Sequence, residues 1–215
     1  MIWKHSDTSI EYAEAMNFME AHVDSMIEGE AEECVWFLEH APIYTLGTGA
    51  QEGDALGSDA ITVLKTTRGG RSTYHGPGQR VVYLMLNLKE RCPDIRRFVW
   101  CLEEWIIQTL AELSVESFRR KGRVGIWVNH PIKGESKIAA IGLRVRKWVS
   151  FHGISINLDP NLDHYQGIVP CGIGDYGVTS LKDLGIDIAM EDLDSILKET
   201  FQKVLIPCLS SPPKN

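Results

Sequence analysis

The sequence contains no apolar run approaching the ~20 residues needed to span a bilayer, which argues against a membrane-embedded protein. It also contains no Cys-x-x-Cys pair. Its five cysteines, at positions 34, 92, 101, 171 and 208, are odd in number, so neither a disulfide framework nor a structural zinc site is indicated and free thiols are expected. Positive charge is in short supply. A net charge of -7 argues against general nucleic-acid binding, although basic clusters occur at Arg119, Arg120, Lys121 and Arg123 and at Arg144, Arg146 and Lys147. The first residues have neither the apolar core of a secretory signal nor the Arg-rich, acid-poor bias of a transit peptide, so the cytoplasm is the expected compartment. There is no internal repeat and no low-complexity tract. With 44% hydrophobic and 24% charged residues and no break in composition, 215 residues are expected to form one domain over 1–209, with 210–215 as a disordered tail.

Residues Thr8 to Glu11 have capping-box spacing. Tyr12, Met16, Met19, Val23 and Met26 then recur at helical intervals, predicting an amphipathic helix that ends near Gly29. Cys34 to Leu38 and Ile61 to Leu64 read as short strands, and the segment from His40 through Gly57 reads as loop. Val81 to Leu88 has the length and β-branched start of a buried strand. Asp94 is placed to cap a second helix whose wide apolar face carries Phe98, Cys101, Leu102, Trp105, Ile106, Thr109 and Leu113. Ile126 to Val128 and Lys137 to Arg146 flank a polar turn and predict a hairpin, while Ile154, Ile156 and Leu158 alternate with polar residues as a further strand. A last helix carries Leu193, Ile196, Leu197, Thr200, Phe201 and Val204, with Pro207 expected to stop it.

Two Gly-rich loops carry the candidate chemistry. Residues 168–181 place Cys171 between Pro170 and Gly172, outside any regular element, where a substrate can approach it. The alternative is that Cys171 is a small buried hydrophobe, the commoner fate of a free cysteine. The loop from Arg68 to Gln79 lacks the Gly-x4-Gly-Lys-Ser/Thr order of a phosphate loop and opens no helix. It offers backbone that can approach a ligand, with Arg68, Tyr74 and His75 at its mouth; the alternative is a tight connection with a structural histidine. A cysteine nucleophile acts as its thiolate, so a neighbouring group has to accept the thiol proton, and seven histidines and several lysines are available.

Arg68 to Gln79, Lys137 to Gly142 with Ser150 to Ile154, and Pro170 to Gly172 with Gly177 to Ser180 together resemble the octanoyl (lipoyl) transferase family of lipoate biosynthesis. The match covers nearly the whole chain in order and spacing, and Arg71 carries little weight in it. The resemblance implies an α/β (α+β) catalytic domain of the biotin and lipoate protein ligase type, with mixed sheets flanked by helices. It implies transfer of an octanoyl group from octanoyl-acyl carrier protein to a lysine of lipoyl domains, those of 2-oxoacid dehydrogenases and the glycine cleavage H protein, with no cofactor and no metal. By the same resemblance Cys171 forms a thioester in a ping-pong reaction, and Lys137 lowers the thiol pKa and acts as general base and acid. The apolar run Ile138 to Ile141 would desolvate that lysine. The acyl pocket would be lined by Arg68, Gly69, Gly70, Arg71, Ser72, Thr73, Tyr74 and His75, by Ala140, Ile141 and Gly142, and by Gly153, Ile154 and Ser155. The resemblance leaves open what more His75 and His152 do, and raises either basic cluster as a docking patch for acidic partners. An adenylating lipoate or biotin ligase on the same fold, which would require ATP and no nucleophilic cysteine, and a non-catalytic binding module are the competing readings.

Overall fold

A computed structural model of the chain describes residues 1–55, 61–168 and 176–210. In chain order the elements are β1 (Ile2–His5), α1 (Tyr12–Glu28), β2 (Cys34–Leu38), β3 (Ile43–Leu46), β4 (Thr62–Lys65), β5 (Ser72–His75), β6 (Gln79–Met85), α2 (Leu88–Arg91), α3 (Ile95–Glu112), β7 (Phe118–Arg120), β8 (Arg123–His130), β9 (Gly134–Arg146), β10 (Val149–Asn157), β11 (Gly177–Val178), α4 (Met190–Thr200) and α5 (Ile206–Ser210). A 3₁₀ turn spans Leu162–Gly167, and a π-helical turn, Phe201–Leu205, joins α4 to α5.

Among the described residues, eight strands form a mixed sheet in the order β1-β2-β6-β10-β9-β8-β7, with β11 also paired to β9. A second sheet of three strands runs β4-β3-β5. Both faces of the large sheet are covered, and period-two alternation divides its apolar residues accordingly. On one face Val35, Phe37, Val82, Leu84, Ile154 and Ile156 pack with α3, α4 and α5; on the other Cys34, Trp36, Val81, Tyr83 and Phe151 pack with α1. The expected face of α3 is the one it buries, and Asp94 caps it by accepting a hydrogen bond from Arg97 N at 3.1 Å. Trp105 Nε1 donates to Leu197 O and Thr200 Oγ1, pinning α3 to α4.

Several local expectations are corrected. The capping box at Thr8 to Glu11 is not used: Glu11 is the N-cap of α1 and makes no side-chain capping bond, and Ile10 just before it pairs with His40, beyond the end of β2. The segment from His40 through Gly57 contains β3, and the Arg68 to Gln79 loop contains β5; these two four-residue strands pair with each other across a long stretch of chain. Pro207 does not end the last helix, since the wider π turn before it changes the backbone register and lets the helix continue to Ser210. Ser210 is therefore helical, and 211–215 lie outside the described residues. Not all cysteines are free thiols: Cys101 on α3 and Cys208 on α5 form a disulfide with their Cα atoms 5.8 Å apart. Their separation of 107 residues gives no sequence signature. Cys34 and Cys92 are free and buried. Among the described residues no helix is long and apolar enough to cross a membrane.

One buried ion pair ties the middle of the sheet to the C-terminal helices. Arg80 on β6 donates through Nε and Nη2 to the two carboxylate oxygens of Asp194 on α4, at 2.7 and 3.0 Å, and both side chains are almost fully buried. Removing one partner of such a pair leaves a buried charge uncompensated, at a cost of roughly 3–5 kcal/mol. Asp194→Asn is expected to lower the urea midpoint by that equivalent without changing the slope of the transition; a loss under about 1 kcal/mol would show that water reaches the pair.

Candidate active site

The site lies where the small sheet and its loop cover the centre of the large one. Arg68, 6% exposed, anchors that cover. Its Nη2 donates to Thr45 O at 2.7 Å and to Thr45 Oγ1 at 2.8 Å, and its Nη1 donates to Gly69 O at 2.9 Å. Gly69 N in turn donates to Leu143 O of β9 at 2.8 Å. The loop is thereby fixed to β3 on one side and to β9 on the other. A Cβ at Gly142 would stand 3.1 Å from Arg68 Cδ and 3.4 Å from Gly69 O, so a larger residue there would push the loop away from the sheet.

Beneath this cover runs a cavity lined by Arg68, Gly70, Arg71, Ser72, Thr73, His75, Ala140, Ile141, Gly142, Gly153, Ile154 and Ser155, together with Tyr12, Val81, Tyr83 and His152. Of the expected pocket residues, Gly69 and Tyr74 are not on its wall. Gly69 is occupied by backbone pairing to Leu143. Tyr74 packs edge-on to Tyr44 and Tyr165, with its hydroxyl hydrogen-bonded to His164 Nδ1 at 2.7 Å. Arg71 forms a two-pronged pair with Asp54, whose carboxyl is held below the usual range chiefly by that hydrogen bond. A second, smaller cavity adjoins the first, sharing Thr73, Ala140 and Ser155 with it, and is completed by Lys137, Ala139, Asn157, Tyr165 and Val178.

Lys137 opens onto this second cavity and is 7% exposed, contrary to the usual fate of a lysine beyond a hairpin turn. Its Nζ donates to Val124 O at 3.3 Å and lies 4.8 Å from the centre of the Trp127 ring. Gly125 makes room for its stem: with φ at +115°, a Cβ there would lie 2.7 Å from Ala139 O and 3.4 Å from Lys137 Cε. Beside Lys137, β10 stops pairing with β9 and β11 takes over, Val178 lying opposite Lys137. Cys171, with Pro170 and Gly172, lies outside the described residues; the chain re-enters the described structure at Tyr176, whose ring packs edge-on to Trp127.

A buried histidine and tyrosine cluster stands at the first cavity: Tyr12, His75, Tyr83 and His152 line it, and His40 packs behind them against His75 and Tyr83. His40 follows β2, His75 ends β5 and His152 lies within β10, so no spacing joins them. His40 Nδ1 donates to Ile10 O, which leaves Nε2 to accept from the Tyr83 hydroxyl, both at 2.7 Å. His75 Nδ1 donates to Gln79 Oε1 at 2.6 Å. Burial pushes His40 down to about 4 and His152 down to about 3, and depresses His75 well below the ordinary histidine value, with nearby charges, Arg68 among them, adding to the last two. Burial likewise raises Tyr12 and Tyr83. These histidines and tyrosines are neutral at physiological pH, and the charges on the cavity lining are Arg68 and the Asp54-paired Arg71.

The arginines of the basic clusters are engaged internally, while Lys121 and Lys147 are exposed. Arg119 pairs with Glu103 and Glu104, Arg120 and Arg123 with Glu135, and Arg144 and Arg146 with Glu20 and Asp24. Among the described residues no group of three or more His, Cys, Asp or Glu side chains is arranged to hold a metal ion.

Residues 11–202 match the model of the lipoyl protein ligase A/B catalytic domain. The chain belongs to that family. Family members similar to it include the octanoyltransferase of Bartonella quintana, 52% identical over 96% of this chain and 88% of that protein. The octanoyltransferase of Parvibaculum lavamentivorans is 55% identical over 94% and 91%. Among solved structures, the bipartite lipoate protein ligase of Thermoplasma acidophilum superposes with a TM-score of 0.71 at 14% identity, over 94% of this chain and 83% of that one. The expected α/β ligase-type architecture is therefore the observed one, and the A/B catalytic domain extends from the start of α1 to the π turn.

The histidine wall makes a pH prediction with a definite sign. Each of the three binds its proton more weakly folded than unfolded, so the unfolded chain takes up more protons as the pH falls below about 6.5. Stability is full above that pH and is lost on acidification, through about 4 for His40 and about 3 for His152. Each residue contributes up to about 1.4 kcal/mol per pH unit, and His40 roughly 3 kcal/mol in all. His40→Gln should flatten the fall in unfolding free energy between pH 6.5 and 4; an unchanged slope in urea titrations at a series of pH values would contradict this assignment.

Proposed function

We propose that this family member is an octanoyltransferase that moves an octanoyl group from acyl carrier protein to the lysine amine of lipoyl domains through a thioester on Cys171. The observation that carries the reading is a buried lysine, Lys137, on the smaller of two adjoining cavities that share Thr73, Ala140 and Ser155 in their walls. Small side chains there suit a thin alkyl chain. Relatives named octanoyltransferase at more than 50% identity over nearly the whole chain support the same assignment.

In this mechanism Lys137, as the free amine, takes the proton of the Cys171 thiol, and the thiolate attacks the carrier thioester carbonyl. The C–S bond to the carrier breaks, the departing thiolate takes a proton back from Lys137, and octanoyl remains on Cys171. The acceptor lysine amine then attacks this thioester; its proton passes by way of Lys137 to the Cys171 sulfur, and an amide is released. As the free amine Lys137 has two N–H donors and one lone pair; Val124 O takes one donor, leaving one N–H and the lone pair for proton transfer. A thioester is already activated, so thioester-to-amide transfer needs no nucleotide. Lipoyl domains of 2-oxoacid dehydrogenases and of the glycine cleavage H protein are the acceptors this chemistry fits, and the cytoplasm is the compartment proposed for it. An acidic partner docking on either arginine cluster competes with the internal carboxylates that already hold those side chains.

The test is steady-state transfer from octanoyl-acyl carrier protein to an isolated lipoyl domain without nucleotide. Wild-type enzyme should turn over, Cys171→Ser should not, and Lys137→Met, which keeps the stem and removes the amine, should lower kcat on the order of 10²–10⁴-fold. Activity that depends strictly on ATP, or that survives Cys171→Ala, would point instead to an adenylating ligase.

A further inference from the structure

His152 stands apart from the other buried histidines. It lies within β10 opposite Leu143, six residues along β9 from Lys137, and so at the end of the slot away from the lysine. It is 1% exposed, and neither ring nitrogen has a hydrogen-bond partner among the described residues. Its backbone is left-handed, with φ at +60°, a conformation uncommon for a non-glycine residue and a recurrent mark of functional sites. The ring is stacked on Phe151 at 5.4 Å and meets Tyr83 edge-on at 5.9 Å, so it is held in place rather than loose. The Tyr12 hydroxyl, on the same cavity wall, is directed toward Tyr83 and Thr66 but makes no hydrogen bond of ordinary geometry. The contrast with His40 is direct, because His40 uses both of its nitrogens.

A neutral imidazole offers one donor and one acceptor, and a phenol offers both. Orphaned polar atoms in a buried wall are costly unless something in the cavity satisfies them. We infer that His152 and Tyr12 form a polar subsite at the far end of the acyl slot that binds a hydrogen-bonding group and thereby sets acyl length. With an octanoyl chain the group is a retained water; with a chain bearing a terminal hydroxyl it is that hydroxyl. A longer plain alkyl chain displaces the water and leaves the wall unsatisfied. The subsite rests on the acyl-transfer reading above and adds to it what recognises the distal end of the chain.

The test compares kcat/KM for octanoyl-, decanoyl- and ω-hydroxyoctanoyl-acyl carrier protein in wild type, His152→Leu, His152→Asn and Tyr12→Phe, each first shown to be folded by circular dichroism. Wild type should use the hydroxylated donor nearly as well as octanoyl and decanoyl about tenfold less well, the ratio that one lost hydrogen bond represents. His152→Leu should raise the decanoyl-to-octanoyl ratio about tenfold and lower the hydroxyoctanoyl-to-octanoyl ratio by a similar factor. His152→Asn, whose side chain tolerates the left-handed backbone and still hydrogen-bonds, should restore the wild-type order. Tyr12→Phe should weaken use of the hydroxylated donor and decides the matter if His152→Leu does not fold. Unchanged ratios in folded Tyr12→Phe and His152→Leu enzymes that still transfer octanoyl would overturn the subsite alone. Failure of wild type to transfer octanoyl at all would overturn the functional reading, and the subsite with it.

Discussion

The site depends on one buried guanidinium. Arg68 spends its donors on the backbone and hydroxyl of Thr45 and on Gly69 O, and so holds the three-stranded sheet and its loop down against β9. A buried cation that donates its hydrogen bonds to carbonyl and hydroxyl oxygens is fixed in direction as well as in place, because a guanidinium presents its donors as a rigid fork. Gly142 completes the arrangement from below, since the loop can only lie this close to β9 where no side chain intervenes. Arg68 also raises the cost of a second positive charge nearby, which reinforces the neutral state of His75 and His152.

A consequence is a slot with two chemically different ends. At one end Lys137 sits against Trp127 and the Val124 carbonyl, beside the short strand on which the chain resumes after the segment containing Cys171. The far end is a neutral histidine and tyrosine wall. Between them the pairs Ala140 with Ser155 and Gly142 with Gly153, in register across β9 and β10, keep the floor thin. That floor runs under both cavities, with Lys137 on the smaller and His152 on the larger.

Much of this was legible in the sequence, and the parts that were not have a common cause. The helix face of Tyr12, Met19 and Val23, the strand at Cys34 to Leu38 and the broad face of α3 follow from local periodicity, which operates over a few residues. By contrast β3 and β5 are only four residues each, β5 being Ser-Thr-Tyr-His, and they are buried by pairing with each other and packing over the site. The β9–β10 hairpin closes through Lys147 and Trp148, both at positive φ, where turn chemistry would lead one to expect Asn or Gly. The Cys101 to Cys208 bridge and the convergence of His40, His75 and His152 are long-range, and no spacing encodes them. Lys137 is marked by family resemblance and not by pattern: a lysine just past a hairpin turn ordinarily faces water, and only the tertiary packing of Trp127 and Gly125 encloses it. His152 did leave a local signal, a histidine set into an otherwise apolar and small-residue strand.

The central claim, a covalent acyl relay through Cys171 with Lys137 as its proton partner, is most directly tested by intact mass after rapid mixing of the enzyme with octanoyl-acyl carrier protein in the absence of acceptor. The account predicts a gain of one octanoyl group that is absent in Cys171→Ser and disappears when a lipoyl domain is added to wild type. Single-turnover transfer without any such adduct, or an adduct that a lipoyl domain cannot discharge, would contradict it.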